Sequence, residues 1–206
     1  MGNQSAPRLE GAFREMLAPS LREDGFSGSG RTFRRIRGGW IQVVNVQGSK
    51  WGGAFAINLA VHPLAIPDLR GNAPDPRKIT VELCEFRRRL SESRNDQWWE
   101  HNATVEGMNI AMTAAADVYV RFGRPLLERV AAPDAQINNV TANDFAQGNF
   151  DFAGFGSTKV RMALALARLR KSDGLVQESK AFATYGILNV GRAAFLRHDL
   201  EELAAQ

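Results

Sequence analysis

Residues 31–62, RTFRRIRGGWIQVVNVQGSKWGGAFAINLAVH, decide the fold that we expect for this chain. Within them, residues 54–61 alternate bulky and small side chains, the period-two pattern of a strand with one apolar face. Residues 40–46 are apolar on both parities, which indicates a central strand that is covered on both faces. The glycine pair at 38–39 is a hairpin signal, and the glycines within 48–53 mark a looser turn. The stretch therefore predicts three antiparallel strands.

The first of these strands is rich in arginine, and its arginines occupy positions on both faces of the strand. Arg35 and Arg37 share a face with Phe33, whereas Arg34 belongs to the opposite face. Charged side chains keep the edge of a sheet from pairing with another chain. Guanidinium groups also match the geometry of carboxylates and phosphates. We therefore interpret the strand as a charged edge or as part of an anion site.

The segments on either side predict an α+β fold. Residues 6–24 have apolar side chains at helical spacing, and Pro19 is expected to bend or split that helix. After a proline-rich loop, residues 79–89 predict a fourth strand. The pattern is helical from Thr104 onward. We expect an antiparallel sheet of about four strands, with the N-terminal helix packed on one face and a mostly helical C-terminal half.

The helical half predicts its own internal boundaries. Arg124-Pro125 predicts a break after a helix over residues 104–122. The phenylalanines among the glycines of residues 148–156 predict a loop that folds onto the core. Further helices are predicted over residues 158–171, 175–187 and 190–204. We expect an α+β domain over residues 1–130 and a helical extension over residues 131–206 that packs on it.

Composition narrows the class of protein. The 206 residues carry a net charge of +4. Residues 1–100 contain 15 Arg and Lys against 11 Asp and Glu, so the whole excess of positive charge lies in the half that contains the three predicted strands, which we call the meander. A single cysteine allows no internal disulfide and predicts a cytoplasmic protein. No run approaches the roughly 20 apolar residues of a membrane helix, so we expect no membrane partner.

No motif of catalysis, metal binding or cofactor binding stands out. Cys84 has the place of a small buried hydrophobe in the middle of a predicted strand. The histidines have no ligand spacing with it or with the carboxylates. Residues 154–159, GFGSTK, resemble a phosphate loop, but no clear strand precedes them. We therefore predict no catalytic residue, no metal site and no cofactor.

Arginine and tryptophan give the best candidate for a binding site. These two residue types are enriched at binding hot spots, and arginine stacks on indole faces. The alternative is a structural corner, in which the indoles plug the end of the sheet and the arginines cap carbonyl groups. The candidate residues are Arg87, Arg89, Trp98 and Trp99, joined by Arg35, Arg37 and Trp40.

Three functions follow from this surface and stay open. The first is a non-catalytic cytoplasmic binding module that recognises a protein or an acidic small ligand through the Arg/Trp side of the sheet. The second is a protein that binds nucleic acid or a phosphate ligand, for which affinity falls steeply with salt. The third is a hydrolase whose acid and base come from carboxylates and His62.

Six motifs in order carry a resemblance to a known family: LREDGF, RTFRRI, WIQVVNVQGS, AFAINLAVHP, ELCEFRRRLS and DQWWE. Together they resemble the bacterial domain-of-unknown-function family 4304 over roughly residues 9–130. The resemblance implies a shared fold and does not indicate a function, because the family has no established activity. The positions that it singles out are Gly25, Phe26, Phe33, Asn58, Cys84, Arg87, Arg89, Trp98 and Trp99.

Overall fold

A computed structural model describes residues 9–93 and 95–206 and confirms the predicted α+β class. Its centre is a six-stranded antiparallel sheet in which five strands follow the order of the chain and the sixth pairs with the fourth. The strands are β1 Ser27–Ser29, β2 Thr32–Arg37, β3 Trp40–Gly48, β4 Ala54–Pro63, β5 Phe86–Arg89 and β6 Trp99–Glu100.

The predicted three-strand meander is confirmed as β2, β3 and β4. Arg37 lies opposite Trp40 across the first turn, where Gly38 and Gly39 have φ angles of +56° and +78°. Positive φ is the conformation that a two-residue hairpin turn requires and that glycine adopts without strain. From Trp40 opposite Pro63 onward, β3 and β4 pair over their whole length.

The predicted strand over residues 79–89 is wrong in its first part. Val81–Leu83 form a 3-10 turn, and only Phe86–Arg89 pair with β4. The apolar side chains of Ile79, Val81 and Cys84 pack on the opposite face of the sheet from the main core, against Ile41, Val43 and Ala60. We call this cluster the second core. A short apolar run does not distinguish a strand from a loop that packs on a sheet.

Two long helices lie beside the sheet, and each contains a π turn. Helix α1 comprises Leu9–Ala12, the π turn Phe13–Leu17 and Ala18–Glu23. Helix α2 comprises Val105–Val118, the π turn Tyr119–Gly123 and Arg124–Ala131.

The predicted helix break at Pro125 is wrong, because α2 continues through it. Pro125 and Pro19 each come shortly after a π turn, and the widened turn accommodates a residue that lacks an N–H. The start of α1 predicted at residues 6–8 lies outside the described residues.

The helices predicted over residues 158–171 and 175–187 are confirmed to within one residue at each end, and the predicted last helix starts later than expected. The structure has a 3-10 turn and a short helix in place of the helix predicted over residues 190–204. Phe152 and Phe155 are buried, which confirms that residues 148–156 fold onto the core. The helices are α3 Gln136–Asn139, α4 Ala142–Gln147, α5 Lys159–Ser172, α6 Val176–Leu188 and α7 Arg197–Ala204.

One large apolar cluster extends from Leu9 to Leu203 and joins the sheet to the helices. Phe13 of α1 meets Phe33 of β2 edge to face at 5.4 Å between ring centroids, so α1 packs on the bulky face as predicted. The domain boundary at residue 130 stays a prediction, although α2 passes through it. None of the helices in the described ranges has the length and apolar character needed to span a membrane.

Candidate functional site

Arg35 lies inside the structure, where the end of α1, the sheet and α2 meet. Its side chain is buried, with 6% of the residue exposed. Nε donates to Oε1 of Gln42 at 2.7 Å, Nη1 to the carbonyl oxygen of Asp24 at 2.6 Å, and Nη2 to Oε1 of Glu128 at 2.7 Å. All three guanidinium nitrogens thus have partners within the chain, and we call these contacts the Arg35 network.

Arg37 and Trp40 lie on the same face of the sheet as Arg35. Arg37 forms an ion pair with Oε2 of Glu128 at 2.9 Å. The buried ring of Trp40 packs at 5.6 Å from that of Phe152. Of the seven predicted binding residues, these three therefore belong to the core face of the sheet or to its border.

Arg87 and Arg89 lie on the other face, because β5 pairs Arg87 with Ala60 and Arg89 with Asn58. Arg89 Cζ lies 4.4 Å from the centroid of the Trp98 ring, and its Nη1 lies 3.1 Å from Oδ2 of Asp96. The structure thus brings Arg89 and Trp98 into contact, close to Arg87.

Trp98 and Trp99 point to opposite sides of the chain and have different surroundings. Trp98 is 39% exposed. Trp99 is buried and stacks on Phe55 at 5.8 Å between ring centroids. Trp98 is therefore accessible to a ligand, whereas Trp99 packs in the core.

A cleft of about 590 Å³ opens beside β5. Its walls come from β5, the loop before Trp98, α2 and the loop over residues 151–154. Arginine is its commonest residue, with four arginines against two aspartates, and we call it the arginine cleft. Its lining residues are Arg87, Arg88, Arg89, Asn95, Asp96, Leu126, Arg129, Asp151, Ala153 and Gly154.

Two guanidinium groups of this cleft differ from the rest. Arg87 and Arg129 are exposed, and within residues 9–93 and 95–206 neither side chain has a hydrogen bond or an ion pair. Arg88, by contrast, donates to the carbonyl oxygen of Ala153 at 2.6 Å. Arg129 was not predicted from the sequence. It comes from α2, far along the chain from β5, so no local spacing connects it with Arg87.

The loop over residues 151–154 has a strained backbone. Ala153 has a φ of +53°, and no other non-glycine residue in the described part of the chain has a positive φ. The left-handed conformation costs an L-residue roughly 1 kcal/mol. Arg88 holds the Ala153 carbonyl, and Oδ1 of Asp151 accepts from the Gly154 N–H at 3.2 Å. Backbone strain of this kind clusters at functional sites, where the surrounding structure maintains it.

His62 and Glu85 are the neighbouring groups that could have formed an acid–base pair. Nδ1 of His62 accepts from the Glu85 backbone N–H at 3.2 Å, and its Nε2 lies 3.1 Å from the Ile66 carbonyl oxygen. The carbonyl requires the proton on Nε2, and burial lowers the pKa of His62, which favours this neutral form. Both ring nitrogens are therefore occupied by backbone groups.

Glu85 and Cys84 are buried titratable groups beside β5. Burial raises the pKa of Glu85 to about 7, although the charges of Arg161, Arg168 and Arg87 lower it. Burial also raises the pKa of the Cys84 thiol to about 12, so the thiol stays protonated at neutral pH. No group of three His, Cys, Asp or Glu side chains in the described residues could hold a metal ion.

The comparison with known proteins agrees with the motifs quoted above. A family model described as Domain of unknown function (DUF4304) matches residues 17–119, half of the chain, which confirms the expected resemblance over a shorter range. No curated protein and no solved structure matches the chain. The matched range contains Arg87, Arg89 and Trp98 and ends before Arg129. The arginine cleft is therefore built by residues inside and outside the matched range.

Proposed function

We propose that this chain, which belongs to the Domain of unknown function (DUF4304) family, is a non-catalytic binding module that recognises an acidic ligand in the arginine cleft. The observation that carries the proposal is the pair of exposed guanidinium groups, Arg87 and Arg129, that line one cleft and have no anionic partner in the described residues.

The size and chemistry of the cleft support a small acidic ligand. Ligand pockets commonly have volumes of about 300–1,000 Å³, a range that includes this cleft. A guanidinium group presents a planar set of N–H donors that matches a carboxylate or phosphate in a bidentate arrangement. Two such groups in one concave space favour a ligand with at least one doubly charged group or with two acidic groups.

Binding without bond cleavage agrees with the other groups around β5. The two carboxylates of the lining already interact within the cleft, Asp96 with Arg89 and Asp151 with the Gly154 N–H. The ring nitrogens of His62 are both engaged by backbone groups. Among the described residues, this neighbourhood thus offers cations for binding, and the ring nitrogens of His62 are not available to transfer a proton to a ligand.

Isothermal titration calorimetry with pyrophosphate and citrate tests the proposal. We expect at least one of these anions to bind the unmodified chain, and the Arg87→Ala/Arg129→Ala double variant to bind it at least tenfold more weakly. Arg192→Ala removes another exposed arginine, outside the cleft, and serves as the matched control with unchanged affinity. Failure of both anions to bind, or equal binding by all three proteins, contradicts the proposal.

A further inference from the structure

We infer that the acidic ligand is a nucleotide unit, whose phosphate lies in the arginine cleft and whose planar base stacks on Trp98. This inference rests on the proposed function and adds a second chemical feature to the ligand, a flat unsaturated ring. Three features of the structure support it: the fixed Arg89–Trp98 pair, a row of amide side chains beside that pair, and the direct connection of the pair to the cleft.

The Arg89–Trp98 pair presents a partly exposed indole next to the cleft. The guanidinium group lies over the indole at 4.4 Å, and Asp96 holds it from another side at 3.1 Å. Arg89 and Asp96 both line the arginine cleft, so the pair adjoins the anion site directly. Nucleobases stack on indole and guanidinium planes, whatever their sequence.

Amide side chains continue the same face of the sheet away from Arg89. Asn58 lies opposite Arg89 in the register, and Asn45 lies opposite Asn58. Nδ2 of Asn58 donates to Oε1 of Gln47 at 3.1 Å. These side chains lie beyond the second core, and each keeps some exposure.

The amide groups have unused hydrogen-bonding capacity. Within the described residues, Oδ1 of Asn58 accepts no hydrogen bond and Nε2 of Gln47 donates none. A neighbouring acceptor and donor suit the edge of a nucleobase, which amide side chains read in a bidentate manner. A ligand with carboxylates alone could accept a hydrogen bond from Gln47, but it would use neither the Asn58 oxygen nor the indole.

Trp51 provides the contrast within the same molecule. It is the more exposed indole, at 86%, and Lys50 Nζ lies 4.8 Å from its ring centroid. It lies on the turn between β3 and β4 and does not line the arginine cleft. Among the described residues, Trp51 and Trp98 are the exposed indoles with a cation over the ring, and only at Trp98 is that cation a residue that lines the cleft. Trp51→Ala is therefore the matched control for Trp98→Ala.

Calorimetric titrations with adenosine 5′-monophosphate and ribose 5-phosphate test the inference, because the two probes differ by the base. We expect the unmodified chain to bind the nucleotide at least tenfold more tightly, which corresponds to about 1.4 kcal/mol. Trp98→Ala should abolish the difference, Trp98→Phe should retain part of it, and Trp51→Ala should leave it intact. The comparison of probes on the unmodified chain needs no variant to fold.

The outcomes separate this inference from the function on which it rests. Equal affinity for the two probes, lost in the Arg87→Ala/Arg129→Ala variant, overturns the nucleotide and leaves the acidic-ligand module. Failure of pyrophosphate, citrate and both sugar phosphates to bind overturns both.

A single-stranded oligonucleotide distinguishes the two sources of a nucleotide unit. Binding that is tighter than for the mononucleotide and falls steeply with salt supports a nucleic acid strand. Binding no tighter than for the mononucleotide supports a free nucleotide.

Discussion

Arg35 and Arg87 belong to the same sheet and have opposite surroundings. Arg35 lies in the interior, and the protein supplies a partner for each of its guanidinium nitrogens. Arg87 is exposed in a cleft and has no hydrogen-bonding partner for its side chain among the described residues. The difference teaches that the number of arginines in a segment does not decide which of them is available to a ligand, because the fold supplies partners for some and leaves others exposed.

The same contrast holds for the carboxylates of the two regions. Near Arg35, Oδ2 of Asp24 accepts from the Tyr119 hydroxyl at 2.6 Å and from Arg124 Nε at 2.9 Å. Beside β5, Glu85 is buried with 3% exposed, and its carboxylate accepts no hydrogen bond in the described part of the chain. The carboxylate of Asp24 thus has hydrogen-bond donors within the fold, whereas that of Glu85 has none among the described residues.

The largest expected effect is the loss of stability when the buried Arg35 is replaced. Arg35→Ala leaves Oε1 of Gln42 and the carbonyl oxygen of Asp24 without their donor, while Glu128 keeps its ion pair with Arg37. Each acceptor that is left unsatisfied away from water costs about 1–3 kcal/mol, so we expect the free energy of unfolding in urea to fall by about 3–5 kcal/mol. Arg87→Ala should change it by less than about 0.5 kcal/mol. Similar losses in the two variants would remove the distinction between the two arginines.

The next largest effect is a dependence of the free energy of unfolding on pH, which comes from Glu85. The pKa of Glu85 rises from its ordinary value of 4.5 to about 7, so the folded state keeps this proton to higher pH than the unfolded state does. The stability from this proton is complete below pH 4.5 and is lost as the pH rises through about 7.

Urea unfolding at pH 5 and pH 8 measures this loss. On the scale of 1.36 kcal/mol per pH unit, it should be on the order of 3 kcal/mol. Glu85→Gln should flatten the decrease, while Glu82→Gln, which removes a neighbouring exposed carboxylate, should retain it. Parallel profiles for the two variants would mean that Glu85 has no raised pKa.

Glycine substitutions extend the comparison to the backbone. Gly38 and Gly154 both have positive φ, so alanine is strained at each. A methyl group at Gly38 would collide with the backbone carbonyl of Ala131, whereas at Gly154 it would meet the movable end of the Arg88 side chain at 2.9 Å.

We expect Gly38→Ala to destabilise the protein by about 1.5 kcal/mol more than Gly154→Ala, since steric overpacking against fixed atoms costs roughly 1–3 kcal/mol. Midpoints of thermal or urea unfolding measure the difference. Gly39→Ala, where a methyl group meets nothing within 4 Å, isolates the cost of the φ angle alone. A loss at Gly39 equal to that at Gly38 would show that the collision contributes nothing.

The sequence predicts the parts of the fold that depend on local pattern. The alternation in residues 54–61 and the glycine pair at 38–39 identify the meander, because a strand and a tight turn each impose a short period on the chain. β1 and β6 are too short to show a period. Ile79, Val81 and Cys84 are apolar because they cover the sheet, although their segment does not pair with it.

The candidate site is less accessible to sequence reasoning, because its parts meet only through tertiary packing. Arg89 and Trp98 were predicted together, and the structure places them in contact. Arg129 joins them from α2, and nothing in its local sequence indicates the cleft. Arg35 was grouped with them because of its residue type, and its partners Asp24 and Glu128 lie 11 and 93 residues away.

The smallest expected effect is the influence of the Arg87 charge on the pKa of Glu85. Burial raises the pKa of Glu85, and the positive charge of Arg87 is among those that lower it. Arg87→Ala should therefore raise this pKa further and move the loss of stability to higher pH, while Arg192→Ala should not. Because Arg87 is exposed, solvent screens the interaction, and we expect a change of less than about 1 kcal/mol.

Pyrophosphate provides the same test without a mutation. An anion that neutralises Arg87 should move the pH profile of the unmodified chain in the direction of the Arg87→Ala profile, in addition to the stabilisation that any ligand of the folded state gives. The anion should leave the profile of Arg87→Ala itself in place. If pyrophosphate stabilises both proteins without moving either profile, it binds away from Arg87, and the charged groups of β5 are not the site that receives it.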